Sequence, residues 1–347
     1  MPARRARVRC GVASGSSEQL DLSGHQVTLS SPDKVYFPDL GATKRDLVAY
    51  YQDVGDALLG VAGGRPTMLQ RFPEGAGGKS FFQKRVPDGA PEWLETVVVA
   101  TPNGTTSRAL VLADLAHVAW AVNLGCLGFH LWAVRAARPE VADELRIDLD
   151  PQPGIGFDEV RQAALAVRRF LDEVGMVGFP KTSGNRGIHV YLPLLPDWTA
   201  TDVRSAAVAL AREMERRQPD LFTAAWWKEE RGARVFVDFN QNAPHKTVFG
   251  PWSVRSRRGG QVSTPISWDD LPDLDPDALT IATVPDRLRR HGDPWAAMGE
   301  SAQSLEPLLA LAARDRDAGL RDAPWPPEYP KGADEPTRVA PSRAKKG

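Results

Sequence analysis

The chain has 347 residues, of which 42% are hydrophobic and 25% are charged, and its formal net charge is −1. This length and composition are typical of a globular protein with a sizeable core, and the near-zero charge excludes a protein that is basic overall, so any site for a polyanion must be a local patch. The two cysteines, Cys10 and Cys126, are too few for a disulfide framework or a Cys-rich zinc site and are consistent with a reducing cytoplasm.

The N-terminal third contains a flexible arm, a strand and two helical segments. Residues 1–25 are polar and rich in Gly and Ser, and we expect a flexible arm. The alternation in "QVTLS" predicts a strand, and "TKRDLVAYYQDVGDALLG" predicts an amphipathic helix capped by Thr43. Residues 109–134 carry a single charge, Asp114, and are long enough to cross a membrane. Helical spacing after an Asp114 cap, and His and Asn side chains that need partners, favour a buried core helix and no membrane contact.

Strand-like and helix-like runs alternate in the middle of the chain. The strands are "LRIDLD", "GIHVYLPL" and "ARVFVDFN", and the helices are "DEVRQAALAVRRFLDEVG", closed by Gly175, and "DVRSAAVALAREMERR". This order indicates an α/β or α+β architecture around a mixed sheet. We expect one catalytic domain over residues 26–300, followed by a helix, "SLEPLLALAARDRDAG", and a Pro-rich, extended or flexible tail within residues 301–347.

Two aspartates stand two positions apart in "ELRIDLDPQPG". Strand alternation directs Asp148 and Asp150 to one face, while Ile147 and Leu149 point into the core. A divalent cation would turn the repulsion between the two carboxylates into coordination. The alternative is a strand that ends at a polar turn, because Asp-Pro commonly opens turns.

A third acid, Asp238, lies in "RVFVDFNQN" between Val237 and Phe239, in a segment otherwise too apolar to need a charge. Three carboxylates and no softer donor suit Mg²⁺ or Mn²⁺, which often hold substrate phosphates. Two such ions could activate an attacking hydroxyl and stabilise a leaving pyrophosphate. Alone, Asp238 is equally well explained as a strand-end acid with a local hydrogen bond.

Two segments carry groups that could bind an anion. In "KTSGNRGIHVYLPL", Ser183, the backbone N–H groups around Gly184 and Gly187, and Arg186 form a possible cradle, and His189 shares a strand face with Tyr191. The segment "HKTVFGPWSVRSRR" contains four cations, Lys246, Arg255, Arg257 and Arg258. A solvated basic edge explains that segment as well as a triphosphate or nucleic-acid contact does. Covalent hydrolase chemistry is unsupported, because no G-x-S-x-G motif occurs.

The D-x-D pair, the S-G-x-x-G-x-H turn and the V-F-V-D segment, in this order, resemble the polymerase domain of bacterial LigD proteins, in the archaeo-eukaryotic primase superfamily. The resemblance extends from Gln26 to Met298. It implies an α+β primase-polymerase fold with mixed or antiparallel central sheets, flanking helices and an RRM-like catalytic core. It also implies a bacterial, nucleoid-associated enzyme that extends primer 3′ ends in broken or gapped DNA, often with ribonucleotides and with two divalent ions, usually manganese.

The resemblance assigns roles to individual residues. Asp148, Asp150 and Asp238 match the family's metal-binding catalytic acids. The positions that match contacts to the incoming nucleotide are His130, Ser183, Arg186, His189, Arg231, Gln241, Lys246 and Arg255. Lys34 and Lys44 match lysines that hold a 5′-phosphate at the downstream edge of a gap, and Phe81 and Phe82 match an aromatic pair that meets the template strand.

The sequence departs from the family in two respects. Arg186 stands where lysine is usual, and arginine is a broader, bidentate phosphate partner. The sequence also lacks a K-x-D-G ligase motif and a nuclease segment, so a stand-alone polymerase is expected, monomeric, with Ku and a DNA ligase as possible partners. The competing hypotheses are a non-catalytic DNA-end-binding module of the same fold and a metal-dependent phosphohydrolase.

Overall fold

The structure, a computed structural model, describes residues 16–102, 104–336 and 338–340. Its strands are β1 Ser17–Leu22, β2 His25–Ser30, β3 Val35–Phe37, β4 Ala42–Thr43, β5 Pro66–Arg71, β6 Phe81–Gln83, β7 Thr96–Ala100, β8 Thr106–Val111, β9 Cys126–Trp132, β10 Val134–Arg135, β11 Arg138–Pro151, β12 Phe179–Thr182, β13 Ile188–Trp198, β14 Phe222–Thr223, β15 Val235–Val237 and β16 Thr247–Phe249. Its α-helices are α1 Lys44–Asp53, α2 Gly55–Ala62, α3 Leu115–Asn123, α4 Phe157–Glu173, α5 Ala200–Arg217, α6 Val284–His291 and α7 Glu306–Asp317.

Two sheets organise the fold. Sheet I has the order β12-β13-β11-β15-β14, with β10 also paired to β11, and its pairs are antiparallel except for β14 and β15. Sheet II has the antiparallel order β16-β9-β5-β8-β7, with β6 also paired to β5. Helices α4 and α5 pack on sheet I. The expected α+β class, with antiparallel central sheets and flanking helices, is confirmed.

The segment after β16 joins the two sheets. Phe249 at the end of β16 pairs with His130 of sheet II. Further along, the carbonyl oxygen of Thr264 accepts the N–H of Thr182 from sheet I. Residues 250–264 therefore hold the β12–β13 turn of sheet I next to the β9 edge of sheet II.

The N-terminal arm is not flexible throughout. Ser17–Leu22 forms β1, which pairs with β2 in full register from Ser17 opposite Ser30 to Leu22 opposite His25. Gly24 allows the tight turn between them, because its φ of 79° is in the left-handed region. Residues 1–15 lie outside the described residues.

Two predicted helices differ in extent from the structure. Thr43 caps α1 in a capping box with Asp46, as expected, but Val54 interrupts the helix and α2 begins at Gly55. Residues 109–134 contain the end of β8, the short helix α3 capped by Asp114, and β9. Among the described residues, no helix combines the length and the apolar content needed to span a membrane.

The strand predicted in "ARVFVDFN" is shorter than expected. β15 ends at Val237, and Asp238 caps a 3-10 turn, Phe239–Asn242. The tail after α7 is extended, as expected, but it is hydrogen-bonded to the body of the protein, where Arg204 donates to the carbonyl oxygen of Ala323 at 2.8 Å.

Candidate active site

Four side chains from neighbouring strands of sheet I lie in one cross-strand row. Lys181 on β12 is opposite His189 on β13, and His189 is opposite Asp148 on β11. Leu149 is opposite Val237 on β15, and the next residue, Asp238, donates its backbone N–H to the carbonyl oxygen of Asp148 at 2.9 Å. Residues opposite one another in a ladder share a face of the sheet, and Asp150, two positions after Asp148, shares it too.

Two of the three acids have raised pKa values. Burial, followed by the charges of Asp238 and Asp150, raises the pKa of Asp148 to about 8. Burial also raises the pKa of Asp238, and the guanidinium of Arg231 counters part of that effect. The Asp238 carboxylate accepts the Asn240 N–H at 3.1 Å and the Gln241 side-chain amide at 3.0 Å. Burial and the neighbouring carboxylates therefore favour the protonated forms of Asp148 and Asp238.

His189 is neutral and lies beside Asp148. Its Nε2 lies 3.3 Å from Asp148 Oδ1, and burial, followed by the charges of Lys181 and Arg255, holds its pKa well below the usual range. Its Nδ1 is buried and has no hydrogen-bond partner among the described residues. Neutral His189 therefore adds no positive charge beside Asp148.

The donor set of the three acids fits a hard divalent cation by its chemistry. All its ligands would be carboxylate oxygens, which suit Mg²⁺ or Mn²⁺, and a bound cation would stabilise the charged form of Asp148, which burial and the charges of Asp238 and Asp150 disfavour. Within the described part of the chain, no three His, Cys, Asp or Glu side chains are already grouped closely enough to hold a metal ion.

Lys181 is a member of the row that the sequence analysis did not single out. Its side chain is fully buried, and its ammonium donates to Ser263 Oγ at 2.5 Å. Burial, followed by the charge of Arg255, holds its pKa well below the usual range. The sequence contained one signal, a lysine two positions before Ser183 on a strand, but a strand lysine is ordinarily solvent-exposed.

The Gly-rich turn between β12 and β13 uses part of its own donor set. Ser183 Oγ accepts the N–H groups of Asn185 at 3.2 Å and Gly187 at 3.0 Å, so the Gly187 N–H is not available to a bound anion. The Arg186 guanidinium donates to the carbonyl oxygen of Pro151 at 2.7 Å, beside Asp150 and away from Ser183. A second cation next to the turn is Arg255, whose Nε donates to the Ser183 carbonyl oxygen at 2.8 Å.

A series of ring contacts connects Arg255 to Phe82, which is expected to meet the template strand. The Arg255 guanidinium carbon lies 3.6 Å from the centroid of the Phe249 ring. His130 makes edge contacts with Phe249 and with Phe82, each at 5.2 Å between centroids. Burial, followed by the charge of Arg255, lowers the pKa of His130 to about 3. In this state His130 offers a hydrogen bond but no positive charge to a phosphate.

The other expected nucleotide contacts surround the acids and an open cleft. Arg231 is buried against the Phe236 ring at 3.5 Å and donates to the carbonyl oxygens of Ala225 and Trp226. A cleft of about 770 Å³ is lined in part by Phe82 and His130 of sheet II, by Gln241 and Lys246, and by Glu328 of the tail.

The expected DNA contacts form two groups. Phe81 and Phe82 on β6 are about half exposed, at 48% and 53%, although the Arg71 guanidinium carbon lies 5.0 Å from the Phe81 ring centroid and Phe82 makes its edge contact with His130. Lys34 donates to Glu74 at 3.0 Å and remains about one-third exposed.

Lys44 is more enclosed than the sequence suggested. It is buried, and its ammonium lies within 2.7–3.4 Å of carbonyl and side-chain oxygens of Ser30 and Asn123. Burial, followed by the charge of Lys34, lowers its pKa to about 8. The influence of Lys34 on this pKa shows that the two ammonium groups are close enough to repel each other.

The chain is similar to known proteins over most of its length. The family profile described as "LigD, primase-polymerase domain" matches residues 43–295. The multifunctional non-homologous end joining protein LigD of Mycobacterium bovis is 34% identical over 325 residues, covering 91% of this chain and 43% of that protein. The bifunctional non-homologous end joining protein LigD of Bacillus subtilis is 33% identical over 290 residues, covering 82% of this chain and 46% of that protein.

A solved structure shows the same fold. The polymerase domain of Mycobacterium tuberculosis Ligase D, in complex with DNA, superposes with a TM-score of 0.74 at 34% identity, covering 80% of this chain and 99% of that one. The chain spans less than half the length of the curated relatives it matches. The expected primase-polymerase fold and enzyme class, a polymerase of the nucleotidyltransferase type, are confirmed, and the chain belongs to the LigD primase-polymerase domain family.

Proposed function

We propose that this protein is a metal-dependent, template-directed nucleotidyltransferase that extends primer 3′ ends at broken or gapped DNA. The observation that carries the proposal is the cross-strand row in which Asp148 lies between His189 and Asp238, with Asp150 on the same face. Carboxylates in such an arrangement are ligands for the cations of phosphoryl-transfer enzymes. Family membership supplies the reaction class.

The proposed reaction assigns a role to each group of residues. Asp148, Asp150 and Asp238 would hold two divalent ions, which lower the barrier to attack of the primer 3′-hydroxyl on the α-phosphate and stabilise the leaving pyrophosphate. Among the chain's own groups, His189 lies 3.3 Å from Asp148, and Gln241 and the Asn240 N–H fix the orientation of Asp238. Positioning of this kind provides much of the catalysis in phosphoryl transfer.

The triphosphate would be bound mainly by arginine. Arg255, held by Phe249 and the Ser183 carbonyl oxygen, offers its terminal NH groups, and Arg231 lies near Asp238. Ser183 and neutral His130 would orient the nucleotide by hydrogen bonds, because the low pKa of His130 leaves that ring uncharged. Lys84 and Lys246 are the lysines on the wall of the cleft.

The DNA would be bound along a separate path. Phe81 and Phe82 would stack on template bases, and Lys34 and Lys44 would hold a 5′-phosphate at the downstream edge of a gap. Because relatives with LigD names are non-homologous end joining proteins, we infer a role in bacterial DNA repair in the cytoplasm, as a monomer, with Ku and a DNA ligase as partners. A preference for ribonucleotides and for manganese is part of the same proposal.

One assay tests the function. Gaps of one to three nucleotides, with and without a downstream 5′-phosphate, are incubated with Mn²⁺ or Mg²⁺ and either NTPs or dNTPs. We expect extension of the primer, faster with Mn²⁺, with NTPs and with the 5′-phosphate. Binding of the gapped DNA without incorporation would favour the non-catalytic module, and release of nucleoside monophosphate or inorganic phosphate would favour the phosphohydrolase.

A further inference from the structure

The segment after α7 forms part of the cleft wall. We call residues 321–336 the C-terminal strap. The strap lies beyond the family match, which ends at residue 295, and its Glu328 lines the same cleft as Phe82, His130 and Gln241. A segment beyond the profile match therefore contributes a side chain to the proposed nucleotide site.

Buried contacts fix the first half of the strap. Arg204 on α5 is fully buried, donates to Asp322 at 2.9 Å and to the carbonyl oxygen of Ala323 at 2.8 Å, and stacks 3.9 Å from the Trp325 ring centroid. The Asn240 side chain accepts from Arg204 at 2.8 Å and donates to the carbonyl oxygen of Pro324 at 2.9 Å. Asn240 also donates its backbone N–H to Asp238, so the strap is bonded to the turn that carries the third acid.

The second half of the strap is equally well anchored. The Tyr329 hydroxyl donates to the carbonyl oxygen of Pro244, and the Tyr329 ring packs against that of Trp325 at 5.4 Å. Glu335 is buried and accepts the N–H of Trp325 at 2.8 Å. Glu328, directly before Tyr329, is thus held at the cleft wall by its neighbours.

Glu328 binds the cation that the proposed nucleotide site would use. Its Oε1 lies 2.5 Å from Lys246 Nζ, and the two side chains are 43% and 31% exposed. A triphosphate or another polyanion that enters the cleft would meet this ammonium with a carboxylate already bound to it. Glu328 and the substrate compete for one partner.

We propose that Glu328 is an affinity-determining residue of the cleft, which weakens nucleotide binding by holding Lys246 until the triphosphate displaces it. This inference rests on the proposed function. An exposed ion pair contributes little free energy, so its removal is expected to change nucleotide affinity by about two- to fivefold. The effect decreases at high salt, because added ions screen exposed charges.

The test compares Glu328→Gln with the wild type in steady-state gap filling, with thermal unfolding as a check on folding. We expect KM for the NTP to fall by about two- to fivefold while kcat stays the same, because the amide keeps the shape of the side chain and loses the charge. Glu306→Gln on α7, an exposed glutamate outside the cleft, is the matched control and should leave KM unchanged. An unchanged or increased KM in Glu328→Gln would overturn the inference.

A double-mutant cycle separates this inference from the proposed function. In a Lys246→Met background, Glu328→Gln should lower KM by less than it does with Lys246 present, because the competition for that ammonium is gone and only Lys84 remains as a cation near Glu328. A full effect of Glu328→Gln in that background would also overturn the inference. If the wild type extends primers but Glu328→Gln behaves like the wild type, only the inference fails; if the wild type incorporates nothing, the proposed function fails.

Discussion

Asp238 donates its backbone N–H to the carbonyl oxygen of Asp148 at 2.9 Å, although 89 residues separate the two in the chain. This bond fixes the end of β15 beside Asp148 on β11 and places both side chains on one face of sheet I. His189 meets Asp148 from the opposite side at 3.3 Å. The three strands thus define the positions of the acids before any ligand binds.

The first prediction concerns the acids themselves. Asp148→Asn or Asp238→Asn is expected to reduce primer extension by about a hundred- to a thousandfold, because each removes a charge that the metal ions and the transition state require. Binding to gapped DNA, measured by fluorescence anisotropy, should change little. Asp269→Asn, which alters a carboxylate that is 94% exposed, is the control and should retain full activity. Normal extension by either site variant contradicts the assignment.

The second prediction concerns pH and metal removal. The pKa of Asp148 is raised from 3.8 to about 8. Between these values the folded chain holds a proton that the unfolded chain has lost, so in EDTA the free energy of unfolding contributed by this group falls as the pH rises. Mn²⁺ must displace that proton, so its binding is favoured at the higher pH.

The measurement is a thermal unfolding series at pH 6 and pH 8, each with Mn²⁺ and with EDTA. We expect Mn²⁺ to raise the melting temperature more at pH 8 than at pH 6, and Asp148→Asn to lose most of that difference. Equal Mn²⁺-induced shifts at the two pH values in the wild type would show that Asp148 does not control metal binding.

The third prediction concerns recognition of the 5′-phosphate. Lys34 is the more accessible of the two lysines and is paired with Glu74 at 3.0 Å. Lys34→Met should reduce the preference for a phosphorylated gap by about tenfold, because it removes a charged hydrogen bond. Glu74→Gln keeps the lysine and should preserve the preference.

Salt provides a second readout for this site. The loss of one phosphate contact lowers the dependence of DNA affinity on salt concentration, because fewer counterions are released. Competition binding at several salt concentrations measures it. If Lys34→Met keeps both the preference and the salt dependence of the wild type, the 5′-phosphate is bound elsewhere.

The fourth prediction concerns Arg255. Arg255→Lys keeps the charge but loses the Nε bond to Ser183 and the flat contact with Phe249. We expect KM for the NTP to rise by about tenfold, in line with one lost hydrogen bond to a charged group and a weakened cation–π contact. Arg257→Lys, whose guanidinium is paired with Asp277 outside the site, should show no change. Equal KM values for both variants would remove Arg255 from the nucleotide site.

Local sequence patterns predicted those features that depend on a single strand or helix. Strand alternation places Asp148 and Asp150 on one face of β11, and the Thr43 and Asp114 caps begin α1 and α3 as expected. Hydrophobicity could not show where β15 ends, because Phe239 continues the apolar pattern while Asp238 already caps the next turn.

Tertiary contacts determined the rest. The buried ammonium of Lys181 donates a hydrogen bond to Ser263, 82 positions later in the chain. No local pattern encodes that partner. The Pro-rich tail has the composition of a flexible segment, yet Arg204 and Asn240 provide buried partners for its carbonyl oxygens. Burial, followed by the charge of Arg255, lowers the pKa of His130, and both come from tertiary contacts.

Single-nucleotide incorporation opposite each of the four template bases in a one-nucleotide gap, with pyrophosphate quantified in the same reaction, tests the central claim most directly. The account predicts that, with Mn²⁺ present, the wild type adds the complementary nucleotide and releases one pyrophosphate per addition, and that Asp238→Asn does neither. Incorporation that ignores the template base, or an equally active Asp238→Asn, would contradict it.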